Sequence, residues 1–207
     1  MLKTLTAEYI LFDVETTGLS PLEGDRIIEI AALRLKKGSI VERFTSFVNP
    51  CRPLAVGAQE INGITEEMIL DAPTAAEVLP KIIDFTGGAC LVAHNASFDI
   101  KFLTYELALC GRKLREETPV LDTVKMARAL LPYLASYRLG SLAHSLGVPV
   151  TETHRALADV ELLTAIFKKL VLMAGDYNIH QLPEMISQYS VEKPSFRMAT
   201  DPQPSLF

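Results

Sequence analysis

Cysteine is scarce in this 207-residue chain, and basic charge does not outweigh acidic charge. The three cysteines, Cys51, Cys90 and Cys110, are odd in number, widely spaced and form no C-x-x-C pair. That argues against a disulfide framework or a structural zinc site and for a reducing, cytoplasmic setting. Twenty Lys and Arg stand against 25 Asp and Glu, a net charge of −5, which weighs against nucleic-acid binding through a basic surface alone. No long apolar run is present. The longest stretch, Val160 to Ala174, is interrupted by Lys168 and Lys169, so no transmembrane span and no membrane partner are expected. Met1 to Thr17 lacks the basic start and apolar core of a secretory signal, and no internal repeat is visible. What is present is a chain 49% hydrophobic and 22% charged, the balance of a folded soluble protein. At roughly 150 residues per domain, the length fits one filled domain with an extension.

The apolar pattern gives the order of elements. Tyr9 to Val14 reads as a central strand ending in acids. Ile27 to Leu35 and Ile40 to Val48 read as two more, joined through a Lys36-Lys37-Gly38-Ser39 hairpin turn. Helical spacing follows over Thr65 to Ile69 and Thr74 to Phe85, with Pro73 between them. Cys90 to Ala93 is a short buried strand, and Ser97 is the expected N-cap of a helix running to about Cys110. Pro119 to Leu121 reads as a fifth strand, followed by helices over Asp122 to Leu131 and Leu139 to Leu146. A longer helix leads from His154 to near Leu172, its stripe formed by Ala156, Val160, Leu163, Phe167 and Leu170. The expectation is an α/β fold, a mixed sheet flanked by helices. A domain over 1–174 is expected, with 175–207 as an extension holding a short helix (His180 to Gln188) and a flexible tail from Ser190.

The chemistry lies in carboxylates that interrupt this pattern. Alternation along the first strand points Asp13 and Glu15 the same way, at the end of a run that should be buried. A desolvated acid is costly unless paired or metal-bound; alternatively, the strand simply stops and both acids meet water. Asp159 lies within or beside an apolar helical stripe, where a cation or the helix N-terminus could satisfy it. Asp99 falls in the first turn of the Ser97 helix, a position that favours negative charge in any case. His154 precedes Asp159 by five residues, so it belongs to the approach to the helix rather than to the same face. A neutral imidazole among carboxylates can accept a proton.

Three motifs occur in order: Asp13-Val14-Glu15-Thr16-Thr17-Gly18-Leu19, His94-Asn95-Ala96-Ser97-Phe98-Asp99 and His154-Arg155-Ala156-Leu157-Ala158-Asp159. With these the chain resembles the DnaQ-like 3′-to-5′ exonucleases, in the branch with four acids and a histidine. It looks most like the proofreading subunit type of bacterial DNA polymerase III, from about Glu8 to Leu172. The resemblance implies a ribonuclease-H-like fold with a five-stranded mixed sheet. It implies Asp13, Glu15, Asp99 and Asp159 as ligands of two divalent metals, Mg²⁺ or Mn²⁺, and His154 as general base. It also implies hydrolysis at DNA 3′ ends, single-stranded or frayed, releasing nucleoside 5′-monophosphates. Thr16, Thr17, Gly18, Leu19, His94, Asn95 and Phe98 are the expected substrate contacts; Phe98 could equally be a core residue on its helix. Many relatives have His-Gly-Ile where this chain has Asn62-Gly63-Ile64, outside the catalytic set.

The chain ends Gln203-Pro204-Ser205-Leu206-Phe207, similar to the short peptides by which bacterial replication proteins dock into the sliding clamp, with Pro204 where Leu is frequent. Gln203, Leu206 and Phe207 are the expected partner contacts, with a replicative polymerase as a further partner. An enzyme acting on RNA ends and a non-catalytic clamp adaptor are the alternative readings.

Overall fold

The computed structural model describes residues 7–54, 56–150 and 155–196. Five strands, β1 (Glu8–Thr16), β2 (Ile27–Lys36), β3 (Ser39–Phe47), β4 (Cys90–Ala93) and β5 (Val120–Asp122), form one sheet in the order β3-β2-β1-β4-β5. The first three are an antiparallel meander, whereas β4 joins β1, and β5 joins β4, in parallel. The expected mixed sheet flanked by helices is therefore the observed one. Lys37 and Gly38 both take positive φ (52° and 77°) at the β2–β3 hairpin, the conformation that matches the twist of the strands it joins.

Eight helices are described: α1 (Val56–Asn62), α2 (Glu66–Ile69), α3 (Ala75–Thr86), α4 (Ala96–Leu109), α5 (Thr123–Leu130), α6 (Leu139–Ser145), α7 (Ala156–Asp176) and α8 (Leu182–Tyr189). The period-two pattern of β1 sorts α3 to α8 into two layers, while α2 packs through Ile69 in a smaller cluster with Ile28, Leu54 and Ile64. Tyr9 and Leu11 face a core shared with α5, α6, α7 and α8, while Ile10, Phe12 and Val14 face one shared with α3 and α4. The helical stripe of α7 is buried along its length, and Phe167 meets the Tyr9 ring edge-on at 4.9 Å between centroids. Burying one such side chain is worth about 1.5–3 kcal/mol, so α7 is fastened to the sheet well beyond its helical propensity.

Several boundaries differ from expectation for local reasons. Helix α4 starts at Ala96, and its cap position is Asn95, held left-handed at φ 63°, not Ser97. Asn tolerates that conformation, and its backbone N–H donates to Asp122, whose carboxylate also caps α5 through Val124 N–H. One buried acid thus ties two helix starts together. Helix α7 runs four residues further than expected, to Asp176. Helix α1 has no counterpart in the sequence expectation. Met185 and Tyr189 of α8 belong to the same core as α7. The expected flexible tail is corrected over Ser190 to Phe196. Val191 N–H donates to Val120 O at 2.9 Å, Ser190 bridges Leu121, and Lys193 Nζ donates to the carbonyls of Arg115, Glu116 and Thr118.

Candidate active site

The site sits where the sheet changes character. Pairing between β1 and β4 ends at Leu11–Val92, so beyond it the β4 side of β1 has no ladder partner. Val14 N–H, left over there, donates to Asp99 Oδ1 at 3.2 Å. A carboxylate from the first turn of α4 thereby reaches the end of β1. Ligands of open α/β sheets gather at such switch points, outside the carboxyl ends of parallel strands.

Asp13 and Glu15 continue the row of Tyr9 and Leu11, which places them beneath the first turn of α7 rather than in open solvent. Oxygen atoms of Asp13, Glu15 and Asp159 all lie within 4.8 Å of one another. Among the described residues this is the one group of three metal-ligating side chains so close together. Loss of water, then the neighbouring charges of Asp99, Glu15, Asp159 and Glu29, push the Asp13 carboxyl well above its ordinary range. Burial, with Asp159 and Glu29 adding to it, pushes Glu15 up to about 7, against a smaller opposing pull from Arg155. Burial pushes Asp99 up to about 8, partly offset by the hydrogen bond from Val14. Hard, negatively charged oxygens so short of compensating charge are a donor set that fits Mg²⁺ or Mn²⁺.

The loop after β1 is built by Asp25. Its carboxylate accepts from Thr17 Oγ1 at 3.2 Å and from Ser20 N–H at 3.0 Å. A Cβ at Gly18 would lie 2.5 Å from that carboxylate, so only glycine lets the loop close over it. Thr16 Oγ1 donates to Gly18 O at 2.6 Å, and Leu19 is left 82% exposed.

Of the expected substrate contacts, Thr16, Thr17, Gly18 and Leu19 lie on this loop. His94 departs from expectation. Its Nε2 donates to Tyr137 O at 2.8 Å, and its Nδ1 lies 2.9 Å from Thr123 Oγ1, so both ring nitrogens are spent inside the fold. Burial holds its pKa below the usual value, which keeps the ring neutral in that role. Asn95 is exposed at the α4 cap. Phe98 is half-buried against Phe102, 5.0 Å between centroids, at the margin of the α3–α4 core. His154, Gln203, Leu206 and Phe207 lie outside the described residues.

Sequence reasoning missed Glu29 and Arg155. Glu29 is the register partner of Glu15, buried within β2, and it takes a two-pronged hydrogen bond from Arg155, at 3.1 and 2.9 Å. The signal is present: Glu29 interrupts the run Ile27-Ile28-Glu29-Ile30-Ala31-Ala32-Leu33, which is otherwise apolar on both faces.

A mixed β3-β2-β1-β4-β5 sheet with acids gathered at the end of its first strand is the ribonuclease-H-like arrangement. The family model described as Exonuclease (RNase_T) matches residues 10–167, and the chain belongs to that family. It is 40% identical to DNA polymerase III PolC-type of Bacillus cereus, over 87% of this chain and 13% of that protein. It is likewise 40% identical to the DNA polymerase III subunit epsilon-like protein of Rhodobacter capsulatus, over 79% of this chain and 23% of that one. The chain therefore spans less than a quarter of the length of either relative. Among solved structures it is similar to Exonuclease X in complex with 5′ overhanging duplex DNA, with a TM-score of 0.70 and 29% identity, covering 86% of this chain and 98% of that one. It shares its fold with E. coli Exonuclease I in complex with a dT13 oligonucleotide, at a TM-score of 0.74 and 21% identity over 83% of this chain and 42% of that one.

Proposed function

We propose that this chain is a 3′-to-5′ DNA exonuclease that trims strand ends one nucleotide at a time in replication proofreading or repair, in the cytoplasm. The observation that carries the reading is the Asp13–Glu15–Asp159 cluster, with Asp99 reaching the same strand end. These four carboxylates would hold two Mg²⁺ or Mn²⁺ ions. Such ions, when bound, make water more acidic and neutralise charge developing on the phosphate and on the leaving 3′ oxygen.

The chain's own groups do the rest. His154 serves as the base that takes the proton of the attacking water, since imidazole is the side chain that exchanges protons near neutral pH. The Thr16–Leu19 loop receives the terminal nucleotide, with exposed Leu19 offering an apolar edge to a base. Phe98 and Asn95 line the approach from α4. The names of the polymerase relatives and the DNA in the Exonuclease X structure support a DNA substrate and a replicative setting, with a polymerase as partner.

The test is degradation of a 5′-labelled DNA strand, paired and mispaired at its 3′ end, beside RNA of the same sequence. The expected result is a ladder shortening from the 3′ end of DNA, faster at the mispair and stopped by chelator. Preference for RNA ends would overturn the substrate; no degradation with either Mg²⁺ or Mn²⁺ would leave a non-catalytic adaptor.

The terminal Gln203-Pro204-Ser205-Leu206-Phe207 is proposed to dock into a bacterial sliding clamp, two adjacent apolar residues filling a pocket while the Gln side chain hydrogen-bonds at its rim. Deleting Gln203 to Phe207 should abolish retention of the protein on immobilised clamp while leaving cleavage of free strands unchanged. Undiminished retention would remove this part of the proposal.

A further inference from the structure

Glu29 lies outside the three motifs and Arg155 inside the third, and their ion pair ties β2, the neighbour of β1, to the start of α7. Glu15, Glu29 and Phe47 are successive register partners across β1, β2 and β3, a row of neighbours running to the sheet edge. Arg155 stands over this row. Its guanidinium lies 4.9 Å from the Phe47 ring centroid, and its Nε and Nη2 donate to the two oxygens of Glu29. Glu29 Oε2 also accepts the Ala156 N–H, the first of α7, at 3.2 Å. One buried carboxylate thus caps α7 and anchors the residue before it. Arg155 O in turn accepts the Asp159 N–H at 3.0 Å, closing the turn that carries the third acid of the cluster.

We propose that the Glu29–Arg155 clamp is the positioning device of the metal site: it fixes the first turn of α7 so that Asp159 faces Asp13 and Glu15. The inference rests on the nuclease reading for its importance but not for its geometry. The opposing requirement is plain. Three carboxylates crowded together repel, and the first turn of α7 is the part of the cluster that could swing away, since Asp13 and Glu15 are locked into the ladder. A planar two-pronged pair with a carboxylate is among the strongest tethers a side chain can form, and a ring beneath the guanidinium restricts it further. Arg155 is also next in the chain to His154, so the same tether acts one peptide bond from the proposed base.

Position and charge predict opposite results, which makes the clamp testable. Removing the Arg155 charge makes the surroundings more negative, so a purely electrostatic role has Arg155→Met bind Mn²⁺ more tightly. A positioning role has it bind Mn²⁺ at least tenfold more weakly. The measurements are Mn²⁺ binding by electron paramagnetic resonance without DNA, and amide hydrogen exchange of metal-free protein. Arg155→Met should speed exchange at Ala156 and Asp159 while β1 and β2 amides stay protected, and should lower kcat at least tenfold with KM within twofold. Arg155→Lys, which keeps the charge and one contact, should recover part of the Mn²⁺ affinity and little of the kcat. Glu29→Gln, which keeps the shape and an acceptor oxygen, serves as the second variant and should retain most of the slow exchange at Ala156.

Unchanged or tightened Mn²⁺ binding by folded Arg155→Met overturns the proposal, as does unchanged exchange at the start of α7. Should Arg155→Met lose protection across the whole sheet, the pair is a general support of the fold and the proposal fails. Should the wild-type protein cleave nothing, the nuclease reading fails alone, because exchange and Mn²⁺ binding still decide the clamp.

Discussion

Asp159→Asn is expected to abolish strand hydrolysis while leaving the metal-free protein as stable as before or more so. The two halves have one cause. Asp159 is one of three carboxylates whose oxygens lie within 4.8 Å, and its charge is among those that hold Asp13 and Glu15 above their ordinary pKa values. Asn preserves the shape and one oxygen but removes the charge, so repulsion at the end of β1 is relieved. The same removal takes away a ligand whose charge would be matched by a divalent ion. Metal stabilisation of transition-state charge is worth several kcal/mol, so a rate loss of about a thousandfold or more is expected. Single-turnover cleavage and thermal melting in chelator check the two halves separately. A clear fall in metal-free stability would make Asp159 a structural acid instead.

The second large effect is on stability against pH. Glu15 stands at about 7 and Asp99 at about 8 in the folded chain, both far above the values such acids have when unfolded. Between roughly pH 5 and 8 the native state therefore holds more protons than the unfolded state, and stability must fall as pH rises through that window. For Glu15 alone the loss is on the order of 3 kcal/mol, and Asp99 adds to it. In the absence of divalent ions, the midpoint of urea unfolding should decrease steadily from pH 5 to pH 8. Saturating Mg²⁺ or Mn²⁺ should flatten the slope and raise stability most at pH 8, because a cation there takes the place of protons. A flat metal-free profile, or one rising with pH over this range, would mean that the cluster is compensated within the protein.

Legibility in the sequence divides along a physical line. The strand order of the meander, the burial of the α7 stripe and the grouping of Asp13 with Glu15 all follow from periodicities carried by neighbouring residues. Local pattern also marks Asp159 as an acid on the wrong face. What local pattern does not carry is partnership across long separations. The Glu29–Arg155 pair joins residues 126 apart, and Arg26 pairs with the fully buried Glu106 across 80. His94 illustrates the same point from the other side. Its place in a motif suggests contact with a ligand, whereas Thr123 and Tyr137, both distant in sequence, supply its partners. Ser97 was the expected cap by residue type, yet Asn95 fills the position because a left-handed turn was needed to bring Asp122 within reach. The segment Ser190 to Phe196 carries no periodicity because it is held by backbone pairing, one lysine and two isolated apolar contacts, Val191 on the α3–α4 core and Phe196 on Tyr105, which leave no repeating signature.

That segment also bears on how the molecule behaves toward copies of itself. A sheet ends in two rows of backbone groups able to recruit a strand from another molecule, which is how folded domains begin to aggregate. On the β5 side, Ser190 and Val191 already occupy part of that row. On the β3 side the row lies beside exposed Glu42 and Arg43, and Arg34 holds Glu42 in an ion pair at 2.8 Å. Charge at one margin and the chain's own backbone at the other discourage intermolecular strand pairing, so the sheet is protected from fibre-like association by residues outside the acidic cluster.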